Sequence, residues 1–155
     1  RRKNRKQRKL LVMETVKNRI KTHEGFRSKV YKDTLNKRTV GYGHLCVEDW
    51  WEDDKEYTQA ELERIFDKDF DKAEDGMKRL CDEFKCSEIK QEAKDIITEM
   101  VFQLGQTGVK KFKNMWKHLS KLEYSLAKTE MLDSRWAKQT PNRAKELSNI
   151  MGGIV

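Results

Sequence analysis

The chain has 155 residues, with 34 Lys and Arg against 26 Asp and Glu, and 36% of its residues are apolar. This length and composition predict one globular domain with a heavily charged surface and argue against an intrinsically disordered protein. The apolar runs are far shorter than a membrane span, and residues 10–13 are too few for the apolar core of a signal peptide. We therefore expect neither a transmembrane segment nor a secretory signal.

The positive charge is concentrated at the amino terminus. Residues 1–9 include seven basic residues and no acidic one, whereas the remaining chain has 27 basic and 26 acidic residues. Because runs of like charge are usually solvated, residues 1–9 are predicted to form a disordered basic arm ahead of a domain over residues 10–155. Such an arm can still touch an anionic polymer or a membrane surface.

The cysteine pattern does not suggest a disulfide framework or a metal site. An odd number of cysteines leaves at least one thiol free in a monomer, and the histidines lack the spacing of zinc ligands. We therefore predict no metal and ordinary buried or half-buried thiols at Cys46, Cys81 and Cys86.

The first part of the chain predicts a helix followed by a small β-hairpin. Apolar residues at helical spacing, from Leu10 to Ile20, predict a helix that ends near Glu24 and Gly25. Residues 28–45 are rich in β-branched, aromatic and glycine residues around a turn signal at 34–37, which predicts the hairpin. The acidic residues 48–56 are predicted to form a loop.

The rest of the chain predicts helices. A capping box from Thr58 to Glu61 opens a long helix whose apolar face continues to Leu80. Another helix follows Ser87 and is predicted to stop at Gly105. Later helices are predicted around 109–119, around 124–131 and from 140 to 152, the last with proline at its first position. The pattern predicts a mostly helical α+β fold, in which a β-hairpin lobe and a helical lobe are joined by the long helix.

Two carboxyl groups near the start of the chain can carry chemistry. Glu24 ends the first predicted helix, and Asp33 lies in the hairpin. Glycoside hydrolysis needs two such groups, one to protonate the leaving oxygen and one to assist water or the oxocarbenium centre. Partial burial favours the protonated form of a carboxyl group, as a general acid requires. Taken alone, the pair is weak evidence: with 26 acidic residues almost any two could be chosen, and two surface carboxylates are the commoner case.

Five segments, in order along the chain, resemble the phage lysozymes of glycoside hydrolase family 24, in particular those of the T-even phages. They are His-Glu-Gly-Phe-Arg at 23–27, Tyr-Lys-Asp-Thr at 31–34, Thr-Val-Gly-Tyr-Gly-His-Leu at 39–45, Met-Val-Phe-Gln-Leu-Gly-Gln-Thr-Gly at 100–108 and Ser-Arg-Trp-Ala-Lys-Gln-Thr-Pro-Asn-Arg-Ala at 134–144. The resemblance implies a lysozyme-like fold over most of the chain.

The resemblance also implies roles for individual residues. Glu24 resembles the proton donor, Asp33 the second carboxylate, and Thr39 the hydroxyl that holds the attacking water. The implied reaction is inverting hydrolysis of the β-1,4 link between N-acetylmuramic acid and N-acetylglucosamine in peptidoglycan, without a cofactor. The implied substrate-side residues are Phe102, Gln103, Arg135, Trp136, Gln139 and Arg143.

Some of these positions also have a structural interpretation. Phe102 and Trp136 can equally be core aromatics, because large aromatic side chains dominate small cores. His44 is interpreted as a structural residue, since the resemblance makes Asp69 its ion-pair partner. The sequence departs from the family at Leu35, where relatives carry an acidic residue, and this leaves the fine substrate preference open.

The resemblance implies a monomeric enzyme whose partner is the peptidoglycan glycan strand. It would act on the bacterial wall or periplasm. As a phage protein it would reside in the host cytoplasm before release or belong to the virion. The alternative is a lysozyme-like module that binds peptidoglycan or has a structural role without turnover. Nucleic-acid binding is not expected, because only the basic arm favours it.

Overall fold

The computed structural model describes residues 4–155, and of residues 12–14 it describes the backbone only. In chain order the elements are α1 (Arg5–Glu24), β1 (Arg27–Lys32), β2 (Arg38–Gly41), β3 (His44–Leu45), α2 (Gln59–Glu83), α3 (Gln91–Lys110), α4 (Lys113–Leu119), α5 (Tyr124–Leu132), α6 (Arg135–Gln139) and α7 (Pro141–Gly152). The strands form one antiparallel sheet in the order β1-β2-β3. The predicted mostly helical α+β fold is confirmed. Within the described residues, no helix has both the length and the apolar character needed to cross a membrane.

The chain divides into two compact units, and the boundary between them falls within α2. Unit 1 comprises residues 1–71 and unit 2 comprises residues 72–155. In unit 1 the sheet and the following loop enclose a small apolar core of Val40, Trp51, Tyr57 and Leu62. Unit 2 has a larger core, built from the second half of α2 and from α3 to α7.

The first helix begins within the predicted basic arm. Oδ1 of Asn4 accepts a hydrogen bond from the Gln7 amide at 2.8 Å, and the Gln7 side chain accepts one from the Asn4 amide at 3.2 Å. This capping box satisfies amides at the start of a helix whose first turn has no acidic residue. Residues 5–9 are therefore helical here, whereas residues 1–3 lie outside the described part of the chain.

Burial along α1 differs from the predicted apolar stripe. Val16 and Ile20 are buried, but Leu10 is 54% exposed and does not join the core. The apolar face of α1 is thus shorter than its spacing indicated, and the amino-terminal part of the helix stays in solvent.

The hairpin turn is stabilised by Asp33 and Asn36. The Asp33 amide donates to the Lys37 carbonyl at 2.9 Å, and the Asn36 amide donates to the Asp33 carbonyl at 2.9 Å. Asn36 has a φ of 63°, a conformation that asparagine tolerates better than most residues. Val40 is in the core, and the predicted turn at 34–37 is confirmed.

The capping box that opens α2 is confirmed. The Glu61 amide donates to Oγ1 of Thr58 at 3.1 Å, and the Thr58 amide donates to the Glu61 carboxylate at 2.9 Å. The apolar face that follows is buried in successive turns, from Leu62 and Phe66 to Leu80. Local sequence therefore determines both the start and the buried face of the longest helix.

The predicted stop at Gly105 is wrong in part. Gly105 has a φ of 76° and breaks the helical conformation, but the chain resumes helix at once and α3 continues to Lys110. Val109 therefore lies in the last turn of α3, and α4 begins only after Phe112. The short α6 was not predicted, because five residues are too few to show a helical period.

The three cysteines are free thiols, as predicted. Burial raises the pKa of both Cys81 and Cys86 to about 11. The Cys86 thiol contacts the carbonyls of Phe84 and Trp116, so it behaves as a small buried side chain rather than as a nucleophile.

Candidate active site

Glu24 is positioned by the end of α1. Gly25, which caps the helix, has a φ of 72°, and its amide donates to the Lys21 carbonyl at 2.9 Å, so α1 ends at Glu24. The half-buried Glu24 side chain packs on the backbone of Gly43, where a Cβ atom would lie only 2.6 Å from Oε2. The carboxyl group of Glu24 thus lies directly against the glycine between β2 and β3.

Asp33 is fixed by the turn that it helps to form. Its Oδ1 accepts hydrogen bonds from the amides of Leu35 at 2.9 Å and Lys37 at 2.8 Å. Two backbone donors on one carboxylate oxygen determine the orientation of the group without any side-chain partner. The carboxylate therefore has a defined direction although it lies in a turn.

Thr39 lies on β2, opposite Tyr31 of β1 and Leu45 of β3. It is 3% exposed, and its hydroxyl donates to the Lys37 carbonyl at 3.0 Å. Because the single proton of this hydroxyl is used, the oxygen can only accept from a further partner. This is the property needed to orient a water molecule.

Tyr31, the strand partner of Thr39, was not identified from the sequence. Burial raises the pKa of its hydroxyl, the charge of Arg27 opposes this rise, and the charges of Glu24 and Asp33 add to it. The Arg27 guanidinium lies 4.8 Å from the centre of the Tyr31 ring. The sequence offered one signal, the spacing of two residues between Tyr31 and Asp33, which places them on the same face of a strand. This signal is not specific, because every strand residue has such a neighbour.

The pairing of His44 with Asp69 is confirmed, at 2.7 Å between Nδ1 and Oδ2. A second carboxylate, that of Glu48, lies 3.0 Å from Nε2 and also accepts from Nε1 of Trp51 at 2.8 Å. Burial opposes charge on the ring, but the hydrogen bonds and charges of Asp69 and Glu48 outweigh it and raise the pKa of His44. With both ring nitrogens in use, His44 has no free nitrogen to act as a general base.

In unit 2, Gln103 and Trp136 form a hydrogen-bonded pair. Nε1 of Trp136 donates to Oε1 of Gln103 at 2.8 Å, and the amide nitrogen of Gln103 donates to the Thr140 hydroxyl at 3.4 Å. Trp136 is 3% exposed and belongs to the core, and the half-buried Phe102 packs against the same core. Trp136 therefore has the structural role that the sequence left open, while it also orients the Gln103 amide.

Arg143 forms a buried ion pair with Glu99. Its Nε lies 2.9 Å from Oε2 of Glu99, whose side chain has no exposed surface. Two opposite charges taken out of water must hold each other in place. Glu99 was missed from the sequence because an acidic residue inside an apolar helical face gives no signal of its partner.

A cavity of about 610 Å³ opens next to these residues within unit 2. Exposed Arg135 and Gln139 line it together with Trp136, and Glu130 and Asp133 add negative charge. The lining thus combines an aromatic wall with polar groups of both signs, as is common where proteins bind small polar ligands. No group of three or more His, Cys, Asp or Glu in the described residues is arranged to hold a metal ion.

Comparison with known proteins decides the family. The family model described as phage lysozyme matches residues 21–150. The chain belongs to the phage lysozyme family. It is similar to two proteins of Dictyostelium discoideum: "Probable T4-type lysozyme 2" is 24% identical over 90% of this chain and 94% of its own length. "Probable T4-type lysozyme 1" is 27% identical over 90% of this chain and 95% of its own length.

Within this phage lysozyme family member, the predicted site residues fall into two groups. Glu24, Asp33 and Thr39 all lie in unit 1, on α1 and the hairpin. The six predicted substrate-side residues all lie in unit 2, on α3, α6 and α7. Membership of the family identifies the enzyme class as a lysozyme-type glycoside hydrolase that acts on the cell wall.

Proposed function

We propose that this protein is a muramidase that hydrolyses the β-1,4 bond between N-acetylmuramic acid and N-acetylglucosamine in bacterial peptidoglycan. The observation that supports this most strongly is the arrangement of unit 1. Glu24 packs on Gly43, between β2 and β3, while β2 carries Thr39 and the turn that joins β1 to β2 carries Asp33. A carboxyl pair on two neighbouring elements is what glycoside hydrolysis requires.

In the proposed reaction, Glu24 is the general acid. It gives its proton to the glycosidic oxygen as the bond between that oxygen and C1 breaks, and the leaving sugar departs as an alcohol. Contact with Gly43 supports this role, because it holds the carboxyl group against backbone and restricts its side-chain rotamers. Holding the proton donor in one direction lowers the barrier, because less freedom is lost in reaching the transition state.

Asp33 and Thr39 are proposed to act on the attacking water. The water adds to C1 from the face opposite the leaving oxygen, Asp33 accepts its proton, and the configuration at C1 inverts. The two backbone hydrogen bonds to Oδ1 of Asp33 support this role because they fix the carboxylate. The Thr39 hydroxyl donates its proton to the Lys37 carbonyl, so its oxygen can accept a hydrogen bond from the water.

The side chains of unit 2 are proposed to bind the glycan. Gln103 is held by Trp136 and Thr140, so its amide can offer fixed polar atoms to acetamido groups. Exposed Arg135 and Gln139 would contribute charge and hydrogen bonds, and Phe102 an apolar surface. Arg143 is proposed to support this set from its buried pair with Glu99.

The proposed role is degradation of bacterial walls, in lysis or in wall penetration, by a monomer whose catalytic domain spans residues 10–155. The resemblance to phage enzymes supports the chemistry of this proposal. It does not fix the source, because the two relatives named above are proteins of Dictyostelium discoideum.

The decisive experiment follows the turbidity of a bacterial wall suspension and the appearance of new reducing ends. Wild-type protein should clear the suspension, and Glu24→Gln should lower the rate on the order of 100-fold or more, because the general acid is lost. Glu61→Gln, an acidic residue in the capping box of α2, is the matched control and should retain the wild-type rate. Binding to walls without new reducing ends would instead support a non-catalytic module.

A further inference from the structure

The turn between β2 and β3 carries the backbone on which Glu24 packs. It consists of Tyr42 and Gly43, between Gly41 at the end of β2 and His44 at the start of β3. Both glycines have a positive φ, 64° at Gly41 and 76° at Gly43. Because glycine has the greatest backbone freedom of all residues, two glycines leave such a turn without a strong conformational preference. The side chain between them, that of Tyr42, is therefore well placed to set the position of the turn.

The Tyr42 hydroxyl fastens this turn to the first turns of α2. It donates to Oε1 of Glu63 at 3.0 Å and accepts from Nε2 of Gln59 at 3.0 Å. Gln59 also donates to the same Glu63 oxygen at 3.1 Å, so the three groups form a closed set of hydrogen bonds. All three residues belong to unit 1. The backbone of the turn is thus tied to a helix as well as to its neighbouring strands.

Lys21 connects the same carboxylate to the last turn of α1. Its Nζ lies 2.7 Å from Oε2 of Glu63, in a pair whose side chains are only 23% and 34% exposed. The same Nζ lies over the Tyr42 ring, 5.3 Å from its centre. Lys21 precedes Glu24 by three residues, which is about one helical turn. The Glu63 carboxylate therefore joins the helix that carries Glu24 to the turn that carries Gly43.

The Tyr42 ring packs against two phenylalanine rings. The ring of Phe66, in α2, meets it edge to face at 5.3 Å between centres and is 2% exposed. The ring of Phe26 lies 5.0 Å from it. Aromatic pairs at such distances restrict each other, so the direction of the hydroxyl is defined together with that of the ring. Tyr42 thus contacts the chain on both sides of Glu24, at Lys21 and at Phe26.

We propose that Tyr42 is a positioning residue for the hydrolysis, because it holds Gly43 in the place that directs the carboxyl group of Glu24. This inference rests on the proposed function. A Cβ atom at Gly43 would lie only 2.6 Å from Oε2 of Glu24, so a shift of the turn moves the proton donor with it. Misplacement of a reacting group by about 1 Å can lower a rate about 100-fold. Tyr42 acts through this contact, and its own proton stays in place during the reaction.

The protonation states of the network suit this role. The hydrogen bond from Lys21 is the main cause that lowers the pKa of Glu63, burial opposes it, and the Tyr42 hydroxyl adds to the lowering. Burial raises the pKa of Tyr42, and its hydrogen bond to Glu63 raises it further. At neutral pH the phenol is therefore neutral and the carboxylate is ionised. A hydrogen bond to an ionised acceptor is stronger than one between neutral groups, so it holds the turn more firmly.

The first test is Tyr42→Phe, assayed on two soluble glycan oligomers that differ only in their leaving group, a sugar or a nitrophenol. The ring is retained, and only the hydroxyl is lost. On the oligomer with the sugar leaving group, kcat should fall about tenfold with little change in KM, because the proton donor is less well directed. A nitrophenolate can leave without a proton, so on the second oligomer kcat should stay within about twofold of the wild-type value.

Tyr57→Phe is the matched control. The Tyr57 hydroxyl accepts from the Glu52 amide at 2.8 Å, and the residue is 7% exposed in the core of unit 1. This variant also removes a hydrogen-bonded phenol from unit 1 and should lower the stability of the protein. Its hydrogen bond lies in the loop before α2, not at the turn that carries Gly43. Its kcat should therefore match that of the wild type on both oligomers.

Gln59→Met tests the same network from an exposed residue, whose replacement should leave folding intact. It removes the donor to the Tyr42 hydroxyl, while the bond from that hydroxyl to Glu63 is retained. On the oligomer with the sugar leaving group, kcat should fall about threefold, again without a loss on the nitrophenyl oligomer. In the Tyr42→Phe background the added effect should be small, because both substitutions act through one hydroxyl.

The expected pattern is a loss confined to the substrate that needs a proton donor. If both variants keep the wild-type kcat on the oligomer with the sugar leaving group, or lose the same factor on the two oligomers, the assignment of Tyr42 is overturned while the enzyme remains a muramidase. If wild-type protein itself releases no reducing ends, the proposed function has failed.

Discussion

Nδ1 of His44 and Oδ2 of Asp69 lie 2.7 Å apart, joining strand β3 to helix α2 inside unit 1. The opposite ring nitrogen faces Glu48 at 3.0 Å, so one imidazole ring is held between two carboxylates. His44, Asp69 and Glu48 have side chains that are 12%, 28% and 23% exposed, and solvent screens them only in part. His44 is the residue after Gly43, and the Glu24 side chain packs on Gly43. The two ion pairs of His44 therefore help to fix the backbone on which Glu24 packs.

This arrangement makes the stability of the protein depend on pH. The folded-state pKa of His44 lies above 6.5, because Asp69 and Glu48 outweigh the cost of burying the charged ring. The stabilisation is therefore present in full below the unfolded value of 6.5 and is lost as the pH rises through the folded value. Asp69→Asn should lower the free energy of unfolding by about 1.5–3 kcal/mol near pH 6 and by clearly less near pH 9.5.

The measurement is urea unfolding of both proteins at the two pH values. Asp67→Asn, one half-turn earlier in α2, is the control, since Lys17 and Asp67 form a surface pair with side chains 25% and 54% exposed. Such an exposed pair contributes about 0–1 kcal/mol, so a small loss is expected at both pH values. An equal loss for Asp69→Asn at both pH values would contradict the linkage to His44.

Gly43→Ala should reduce activity on the order of 100-fold. The added Cβ would displace Oε2 of Glu24, and a catalytic group misplaced by about 1 Å can lower the rate by this factor. Gly25→Ala is the control. Gly25 has a similar positive φ, 72° against 76°, but no atom lies within 4 Å of its added Cβ. Both variants should lose about 1–3 kcal/mol of stability, measured by thermal unfolding, because each places a side chain at a positive φ that other residues rarely adopt. Equal activity of the two variants would show that contact with Glu24 is not what matters.

Glu99→Gln should lower the free energy of unfolding by about 3 kcal/mol, because a buried arginine loses its carboxylate. The same substitution at Glu83 is the control. Glu83 pairs with Lys110 at 2.7 Å, but the two side chains are 43% and 45% exposed, so the expected loss is below about 1 kcal/mol. Chemical unfolding of both variants distinguishes them, and a similar small loss at both sites would contradict a buried, charged pair.

Removal of residues 1–9 should lower activity on intact walls more than on soluble glycan fragments. The described basic residues of this segment are exposed at the start of α1, where positive charge can meet an anionic polymer. A sharper variant changes four exposed residues of the segment to glutamine: Arg5, Lys6, Arg8 and Lys9. Its control changes four exposed lysines elsewhere to glutamine: Lys72, Lys121, Lys138 and Lys145. Equal losses on both substrates, or in both variants, would count against a local role of the arm.

Local signals in the sequence predicted those parts of the fold that depend on neighbouring residues. The capping box at Thr58 and the turn after Asp33 are examples, since both are built from hydrogen bonds between residues at most four apart. The helical break at Gly105 was predicted as an end, because a glycine with positive φ looks the same in sequence whether or not the helix resumes.

Features that depend on distant partners could not be predicted from spacing. Glu99 faces Arg143 across 44 residues, and an acidic residue inside an apolar helical face has no pattern that indicates its partner. Tyr31 was missed for a related reason. Its pairing with Thr39 comes from the strand register, which a single strand does not reveal.

The buried thiols of Cys81 and Cys86 can report how often unit 2 opens to solvent. Alkylating reagents attack thiolates, and with a pKa of about 11 and exposures of 3% and 1% these groups present almost none while unit 2 is folded. Their labelling rate at neutral pH therefore reports how often this half of the chain opens. Wall fragments that bind unit 2 should slow that labelling, so ligand binding can be followed without any catalytic turnover.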